Sequence, residues 1–497
     1  MSNATPRLAT VAGANAETGP SAAGRGVSAV VSDGGTGTTL LICGIPLYPK
    51  GILRIEKSPV TEDTMPQALS ILQCVDCGKQ YPTDAVVYTC EACGGLLDLA
   101  HDLDALRPVV SRALFDARLG SLEHPYRSGV WRYKELVYPD VADAHIVSRP
   151  EGNTNLYDLP RLAEWAGVAR LLLKHEGENP TGSFKDRGMT GGVTQARVLG
   201  MERVACASTG NTSASLAAYA AYAGVQGIVL FQNRQIALGK LSQAIAYGAT
   251  CVRIAADFDR NLALVRQVSE ALGIYVLNSV NPFRLEGQKT IMFELIQQMR
   301  WQVPDWIVVP GGNLGNSSAF GKGLHELYTL GLIDRMPRLA IIQAEGANPL
   351  YRASLRGYDR LEPMTADTYA TAIKIGNPVN YPKAVRALRW TDGVVAQVDD
   401  QAIMDAKALI DRTGIGCEPA SACSLAGVRV LVDSGVIRPD ETVAGILTGH
   451  VLKDPDLTLG YHNGTLEGVT PTYPNTIHDV EATVEALSVA LGATEAV

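Results

Sequence analysis

His175-Glu-Gly-Glu-Asn-Pro-Thr-Gly-Ser-Phe-Lys185-Asp-Arg-Gly188 lies between a short apolar run and a long helical pattern. It sets one lysine behind a Pro/Gly turn, at the point where a helix should begin. Ser183 is expected to cap that helix. The positive end of a helix disfavours a second cation beside it, so a lysine there releases its proton more readily. A neutral amine is the form that condenses with an aldehyde. A surface lysine in a polar loop would carry the same letters, so the stretch gains its meaning from other parts of the chain.

Three further turns follow apolar runs and open helical patterns. Ser208-Thr-Gly-Asn-Thr-Ser213 follows Val204–Ala207 and leads into an alanine-rich helix, Ala214–Ala223. Its N–H groups and hydroxyls would face a carboxylate or phosphate at a helix N-terminus, and Asn211 offers an amide to a phenolate oxygen. An ordinary N-cap turn reads the same way. Pro310-Gly-Gly-Asn-Leu-Gly-Asn316 follows Trp306–Val309. Its glycines let the backbone turn sharply and approach a phosphate. It matches neither G-x-x-x-x-G-K-[ST] nor G-x-G-x-x-G, so no dinucleotide is implied. Thr448-Gly-His-Val-Leu-Lys-Asp454 follows Val443–Leu447. A hydroxyl at a strand end can bond a ring nitrogen without protonating it, although Thr448 alone reads as a turn residue. An activated lysine, a phosphate cradle, an amide donor and a hydroxyl for a ring nitrogen together describe a pyridoxal phosphate site.

From about Val147 the chain alternates short strands with helices. Leu171–Lys174, Val204–Ala207, Ile228–Phe231, Cys251–Ile254, Tyr275–Leu277, Ile307–Val309, Leu339–Gln343, Val394–Val398 and Val443–Leu447 read as strands. Phe258–Leu272, Glu286–Met299 and Gln401–Thr413 read as helices. Such alternation predicts an α/β fold of parallel sheets with covered faces, whose ligands bind beyond the carboxyl ends of strands. The Gly-rich turns fall at those ends.

The 497 residues are too many for one ordinary core, and 46 % hydrophobic with 19 % charged residues describes a globular chain. A net charge of −8 argues against nucleic acid as the main partner. No apolar run reaches the ~18 residues of a membrane helix. Residues 1–66, rich in Ala, Gly, Ser and Thr, read as a largely disordered extension, with Thr38–Ile55 as a candidate docking strand. An organelle transit peptide and a plain tail fit that extension equally. Cys43, Cys206, Cys251, Cys417 and Cys423 are scattered, as reduced core cysteines are, which points to the cytosol. Cys74, Cys77, Cys90 and Cys93 instead form C-x2-C-x12-C-x2-C, two thiolate knuckles that suit structural zinc. A ribbon without metal and a redox pair are the competing readings. The acidic neighbours Asp76, Asp84, Glu91 and Asp98 speak against phosphate contacts of a nucleic acid there.

Lys174-His-Glu-Gly-Glu-Asn-Pro-Thr-Gly-Ser-Phe-Lys-Asp-Arg-Gly188, Ser208-Thr-Gly-Asn-Thr-Ser213, Asn278-Ser-Val-Asn-Pro-Phe-Arg-Leu-Glu-Gly-Gln-Lys-Thr290 and Leu447-Thr-Gly-His450 resemble threonine synthase, with the motifs in family order between residues 70 and 465. Val451 stands where that family more usually has glycine, and residues 1–66 have no counterpart in it. The resemblance implies a fold type II pyridoxal phosphate enzyme. Residues 67–135 would form the ribbon and linker, 136–203 with 286–470 a large domain, 204–285 a small α/β domain, and 471–497 a C-terminal segment. It implies that Lys185 carries the cofactor and shuttles protons, that Asn211 faces the 3′ oxygen, and that Thr448 faces the ring nitrogen. Gly311, Gly312, Asn313, Leu314 and Gly315 would hold the cofactor phosphate. Ser208 and Thr212 would contact the substrate's carboxylate or phosphate, and Asn278 and Arg284 would clamp its phosphate, a task suited to the planar fork of arginine. The implied reaction turns O-phospho-L-homoserine and water into L-threonine and phosphate, in a homodimer. A cysteate synthase, a threonine/serine dehydratase and a non-catalytic binding protein of the same fold remain alternatives.

Overall fold

The computed structural model describes residues 68–232, 238–254 and 271–492. The candidate strand Thr38–Ile55 and residues 258–270 of the expected helix Phe258–Leu272 lie outside them. The strands run, in chain order, β1 (Ser70–Cys74), β2 (Gln80–Tyr81), β3 (Leu97–His101), β4 (Leu156–Asp158), β5 (Arg170–His175), β6 (Arg203–Ala207), β7 (Gln226–Gln232), β8 (Thr250–Ile254), β9 (Ile274–Val276), β10 (Trp306–Pro310), β11 (Arg338–Ala344), β12 (Val394–Val398) and β13 (Thr442–Leu447). They form a six-stranded sheet ordered β12-β11-β10-β13-β5-β4, a four-stranded sheet ordered β8-β7-β6-β9, and a three-stranded ribbon ordered β2-β1-β3. The four-stranded sheet is parallel throughout, and in the larger one only β4 is antiparallel.

Side-chain alternation explains why the large sheet sits in the interior. Leu172, Ile307, Val309, Leu339 and Ile341 bury against the helices Pro282–Gln298, Gly315–Thr329 and Tyr381–Trp390. Their neighbours Leu171, Leu173, Trp306, Val308, Ala340 and Ile342 bury on the other side, with the helices Pro160–Ala166, Asp400–Asp411 and Pro419–Asp433. With both faces covered, each strand reads as a continuous apolar run. In the small sheet, Val204, Cys206 and Val229 pack with Leu216, Tyr219 and Ala220 of helix Asn211–Ala223 and with Met189, Val193 and Ala196 of helix Lys185–Val198.

The expected strands are present, with Tyr275–Leu277 displaced by one residue to β9. The expected helix Glu286–Met299 begins four residues earlier, because Pro282 occupies its first turn and the Asn281 side chain accepts from Phe283 N at 3.1 Å. The three-stranded ribbon falls within the expected ribbon region 67–135, although its strands β1, β2 and β3 were not read individually, and β4 had no expected counterpart.

A buried charge network pins the helix that begins at Lys185. Arg187 donates to Glu176 Oε2 and Oε1 at 2.7 Å each and to Glu294 Oε1 at 2.8 Å; Glu294 also accepts from Lys174 at 2.7 Å. All four residues are at most 1 % exposed, so loss of one partner would strand a charge in the interior.

Candidate active site

The turn carrying Lys185 is stitched to the turn after β13. Phe184 N donates to Thr448 O at 3.0 Å, His450 N donates to Gly182 O at 3.0 Å, and Ser183 bridges Gly449 in antiparallel fashion. Lys453 Nζ adds a bond to Thr181 O at 2.5 Å. This pairing corrects the expectation for Ser183. The helix starts at Lys185 with Phe184 as N-cap and no capping side chain, and Ser183 Oγ is buried without a partner. The backbone of Ser183 serves the bridge, and its side chain does not cap the helix. The neighbouring carboxylate does the local fastening: Asp186 accepts from Thr181 N and Oγ1 at 2.7 Å each and from Ser215 Oγ at 2.6 Å. Burial raises its pKa to about 6.

Lys185 is half-buried, with Nζ 4.0 Å from the centroid of the Phe184 ring and no ion-pair partner among the described residues. Loss of water around the amine, and then the Arg284 guanidinium, lower its pKa to about 7, while Glu418 pulls the other way. Arg284 is itself 1 % exposed. It donates to Leu277 O at 2.9 Å, its Nε has no partner, and no carboxylate pairs with it among the described residues. Burial lowers its pKa to about 10. A buried cation without a counter-charge is costly, and it suits an incoming anion.

The crossing of helices Lys185–Val198 and Pro282–Gln298 brings Arg284 to Lys185. A Cβ on Gly287 would lie 1.7 Å from Arg187 O, and one on Gly188 would lie 2.6 Å from Gln288 Nε2 and 3.0 Å from Arg284 O. Gln288 also separates this helix from the Gly-rich turn, since its Oε1 would lie 3.4 Å from a Cβ on Gly315. In that turn, a Cβ on Gly311 would meet Ile341 at 2.6 Å and one on Gly312 would meet the Ile373 backbone at 3.0 Å. Leu314 takes φ 62°, and the helix Gly315–Thr329 starts next to it with no side-chain cap. Ser317 Oγ in its first turn is fully buried and unpartnered. Asn313 spends its side chain on neighbouring loops, donating to Ser279 Oγ at 2.8 Å and accepting from Val379 N at 2.8 Å. Only its backbone is left to the turn.

Asn211 opens helix Asn211–Ala223, and Thr448 directly follows β13. They share one partner, Glu418, which accepts from Asn211 Nδ2 at 2.9 Å and from Thr448 Oγ1 at 3.0 Å. Burial raises the Glu418 pKa. Ser208 Oγ accepts from Gly210 N at 3.3 Å, and Thr212 is half-buried one residue into the helix. Asn278 spans the end of β6, accepting from Ala207 N at 3.0 Å and donating to Ala207 O at 3.3 Å. The expected residues thus gather at carboxyl ends of strands in both large sheets. Glu418, Ser421 and Gln288 join them without having been anticipated; Glu-Pro before a Ser/Ala-rich helix is the one hint the sequence carries for the first two.

Away from this site, Cys74, Cys77, Cys90 and Cys93 place their Sγ atoms within 4.8 Å of one another, with Cys74–Cys93 and Cys77–Cys90 at 3.5 Å. Edges of a zinc tetrathiolate measure about 3.8 Å, from a Zn–S bond of about 2.3 Å. No helix among the described residues is long and apolar enough to cross a membrane.

The family model of pyridoxal-phosphate dependent enzymes matches residues 147–449. The threonine synthase of Methanocaldococcus jannaschii is 48 % identical over 389 residues, 78 % of this chain and 94 % of that protein. The chloroplastic threonine synthase 2 of Arabidopsis thaliana is 43 % identical over 78 % of this chain and 77 % of its own length. Among solved structures, maize serine racemase superposes with a TM-score of 0.54 at 21 % identity, covering 63 % of this chain and 92 % of that one, a likeness of fold. The chain belongs to the threonine synthase family of pyridoxal-phosphate dependent enzymes.

Proposed function

We propose that this chain converts O-phospho-L-homoserine and water into L-threonine and phosphate with pyridoxal phosphate bound at the site built around Lys185. The observation that carries the reading is an amine lowered to about 7 beside a buried arginine, neither of them paired with a carboxylate among the described residues. The residues present fit the cofactor. Two buried hydroxyls, Ser183 Oγ and Ser317 Oγ, lack partners, and Gly311 and Gly312 let the turn pack against Ile341 and Ile373 more closely than a Cβ would allow. Lys185 would hold the cofactor covalently, Asn211 would face its 3′ oxygen and Thr448 its ring nitrogen. Gly311, Gly312, Asn313, Leu314 and Gly315 would offer backbone N–H groups to its phosphate. When bound, the cofactor supplies a ring that withdraws electrons from the substrate's α-carbon.

The rest falls to the chain's own groups. Lys185 Nζ takes the proton from Cα as a neutral amine, passes it on to the bound cofactor–substrate pair, and once neutral again takes one from Cβ, so it would act as a shuttle. Arg284 neutralises the phosphate that leaves Cγ, with Asn278 fixing the end of β6 beside it. Ser208 and Thr212 orient the substrate carboxylate at the N-terminus of helix Asn211–Ala223. Thr448 brings a hydroxyl and no cation, so the ring nitrogen stays unprotonated. The ribbon would hold one structural zinc on its four thiolates. The unpaired state of the other described cysteines supports a cytosolic setting, and the family resemblance supports a homodimer.

Product analysis tests the reaction. Incubation with O-phospho-L-homoserine should release phosphate and threonine in equal amounts. Turnover of phosphoserine with none of phosphohomoserine would move the chain to another activity on the same scaffold.

A further inference from the structure

Arg284 and Lys185 come from helices that touch, and neither meets a carboxylate among the described residues. Arg284 is 1 % exposed, gives one N–H to Leu277 O at 2.9 Å and leaves its Nε unpartnered. Glycines let it lie against the helix of Lys185: a Cβ on Gly192 would lie 3.1 Å from Arg284 Cγ, and one on Gly188 would lie 3.0 Å from Arg284 O. Like charges repel strongly away from water, so the group that can give up its proton does so. Lysine can, and arginine cannot. Loss of water and then the guanidinium accordingly lower the amine to about 7.

The other charges near this pair are engaged elsewhere. On the helix of Lys185, Asp186 accepts from Thr181 and Ser215, and Arg187 pairs with Glu176 and Glu294. On the helix of Arg284, Glu286 and Lys289 pair with each other. On helix Asn211–Ala223, Tyr219 donates to Glu151 at 2.6 Å. Lys453, after β13, donates to Thr181 O and Gln243 Oε1 at 2.5 Å each. Burial pushes the Cys206 thiol in β6 up to about 12, so it carries no charge near neutrality. Glu418 pulls the Lys185 amine toward its charged form, but burial raises the Glu418 pKa and weakens that pull.

We propose that Arg284 couples phosphate occupancy to the protonation of Lys185: empty, it keeps the amine neutral, and filled by the substrate's phosphate, it lets the amine hold a proton. This rests on the reading of Arg284 as the clamp on that phosphate. A neutral amine is the form that condenses with the cofactor. A dianion on Arg284 cancels the repulsion and adds an attraction of its own, so the ammonium formed when Lys185 takes a proton from carbon is stabilised. An amino acid without phosphate leaves the guanidinium bare, and the ammonium then has to form beside it. Arg284 thereby discriminates against such a substrate in proton transfer as well as in binding.

The experiment uses the full-length chain freed of cofactor, so that the amine is free. The probe is sulfate, a tetrahedral dianion throughout the neutral range, with chloride matching the ionic strength. Trace acetylation by acetic anhydride, read at Lys185 by mass spectrometry across pH, gives the midpoint of the amine, and calorimetry gives the affinity for sulfate. Saturating sulfate should raise the midpoint by about one unit, the lower end of what a neighbouring charge does. By reciprocity, sulfate should bind about tenfold more tightly below both midpoints than above them. Arg284→Met removes a buried cation that nothing neutralises, so it should fold. Its midpoint should lie above the wild-type value and ignore sulfate. Arg284→Gln takes its place if it does not fold. Sulfate that binds the wild type without moving the midpoint overturns the proposal. So does a folded variant whose midpoint stays at the wild-type value, or one whose midpoint moves with sulfate as the wild type's does, which would put the anion at the glycine turn. A wild-type chain that binds no sulfate overturns the reading of Arg284 as a clamp, and the proposal with it.

Discussion

Lys185 differs from an ordinary lysine in what surrounds its amine, and that difference has a sign. An unperturbed lysine near 10.5 is charged throughout the neutral range, whereas Lys185, lowered to about 7, is largely neutral above that value. The rate at which the cofactor-free chain condenses with pyridoxal phosphate, followed by absorbance, should therefore rise through a midpoint near 7 and then level off. A midpoint near 10 would sink the assignment. The same shift acts on stability. Between about 7 and 10.5 the unfolded chain binds this proton and the folded chain does not, so over that window the contribution of Lys185 to cofactor-free stability rises with pH. Lys185→Met removes that pH-dependent contribution, which a pair of thermal melts at pH 6 and pH 10 would detect. The position of this lysine was legible from its Pro/Gly turn and the helix pattern after it. The reason for its lowered pKa was not: the sequence suggested the helix end, while the structure adds loss of water and the guanidinium of Arg284, 99 residues later in the chain.

The helix Lys185–Val198 carries Gly188, Gly191 and Gly192 on one side, spaced so that all three meet the helix Pro282–Gln298 or the residues just before it. Glycine inside a helix costs about 1 kcal/mol against alanine, so three of them need a packing reason. The reason is the contact itself, where a Cβ on Gly191 would lie 2.5 Å from Phe283 O and one on Gly192 would lie 2.6 Å from the Leu277 side chain. Gly287 answers from the other helix, and Gly287→Ala would drive a methyl into Arg187 O. Overpacking of this kind should destabilise by about 1–3 kcal/mol in denaturant unfolding and should also move Arg284 away from Lys185, raising the midpoint of the condensation rate. An unchanged denaturation midpoint would mean that the helices part at no cost. The spacing of these glycines was present in the sequence, but a stripe on one helix does not name its partner. The central strands of the large sheet, by contrast, were read nearly to the residue, because burial on both faces leaves them unbroken apolar runs, as in β10 and β13.

The ribbon bearing the four cysteines docks on the body through charge as well as apolar side chains. Asp98 on β3 pairs with Lys383 at 2.7 Å and Arg386 at 2.6 Å, which hold its carboxyl well below the usual range against the effect of burial. His101 bonds Glu286 at 2.9 Å, one helical turn before Lys289 and on the same helix as Arg284. Binding or loss of a metal at the thiolates should therefore be felt beyond the ribbon. The protein as purified is expected to hold about one zinc per chain by elemental analysis. Cys74→Ser combined with Cys77→Ser should remove the zinc and lower the melting temperature by roughly 5 °C. A metal-free wild type with the same melting temperature would argue for a ribbon held by packing alone. The knuckles and the ribbon around them were plain from spacing; the salt bridges that dock the ribbon were not, since Asp98 meets partners 285 and 288 residues away. The seam between residues 182–184 and 448–450 joins segments nearly as distant in the chain. Because each side supplies the other's hydrogen-bond partners, neither can open by itself. The amides of Phe184 and His450 should then exchange with deuterium at a common slow rate, so that Lys185 and Thr448 belong to one foldon that opens as a unit.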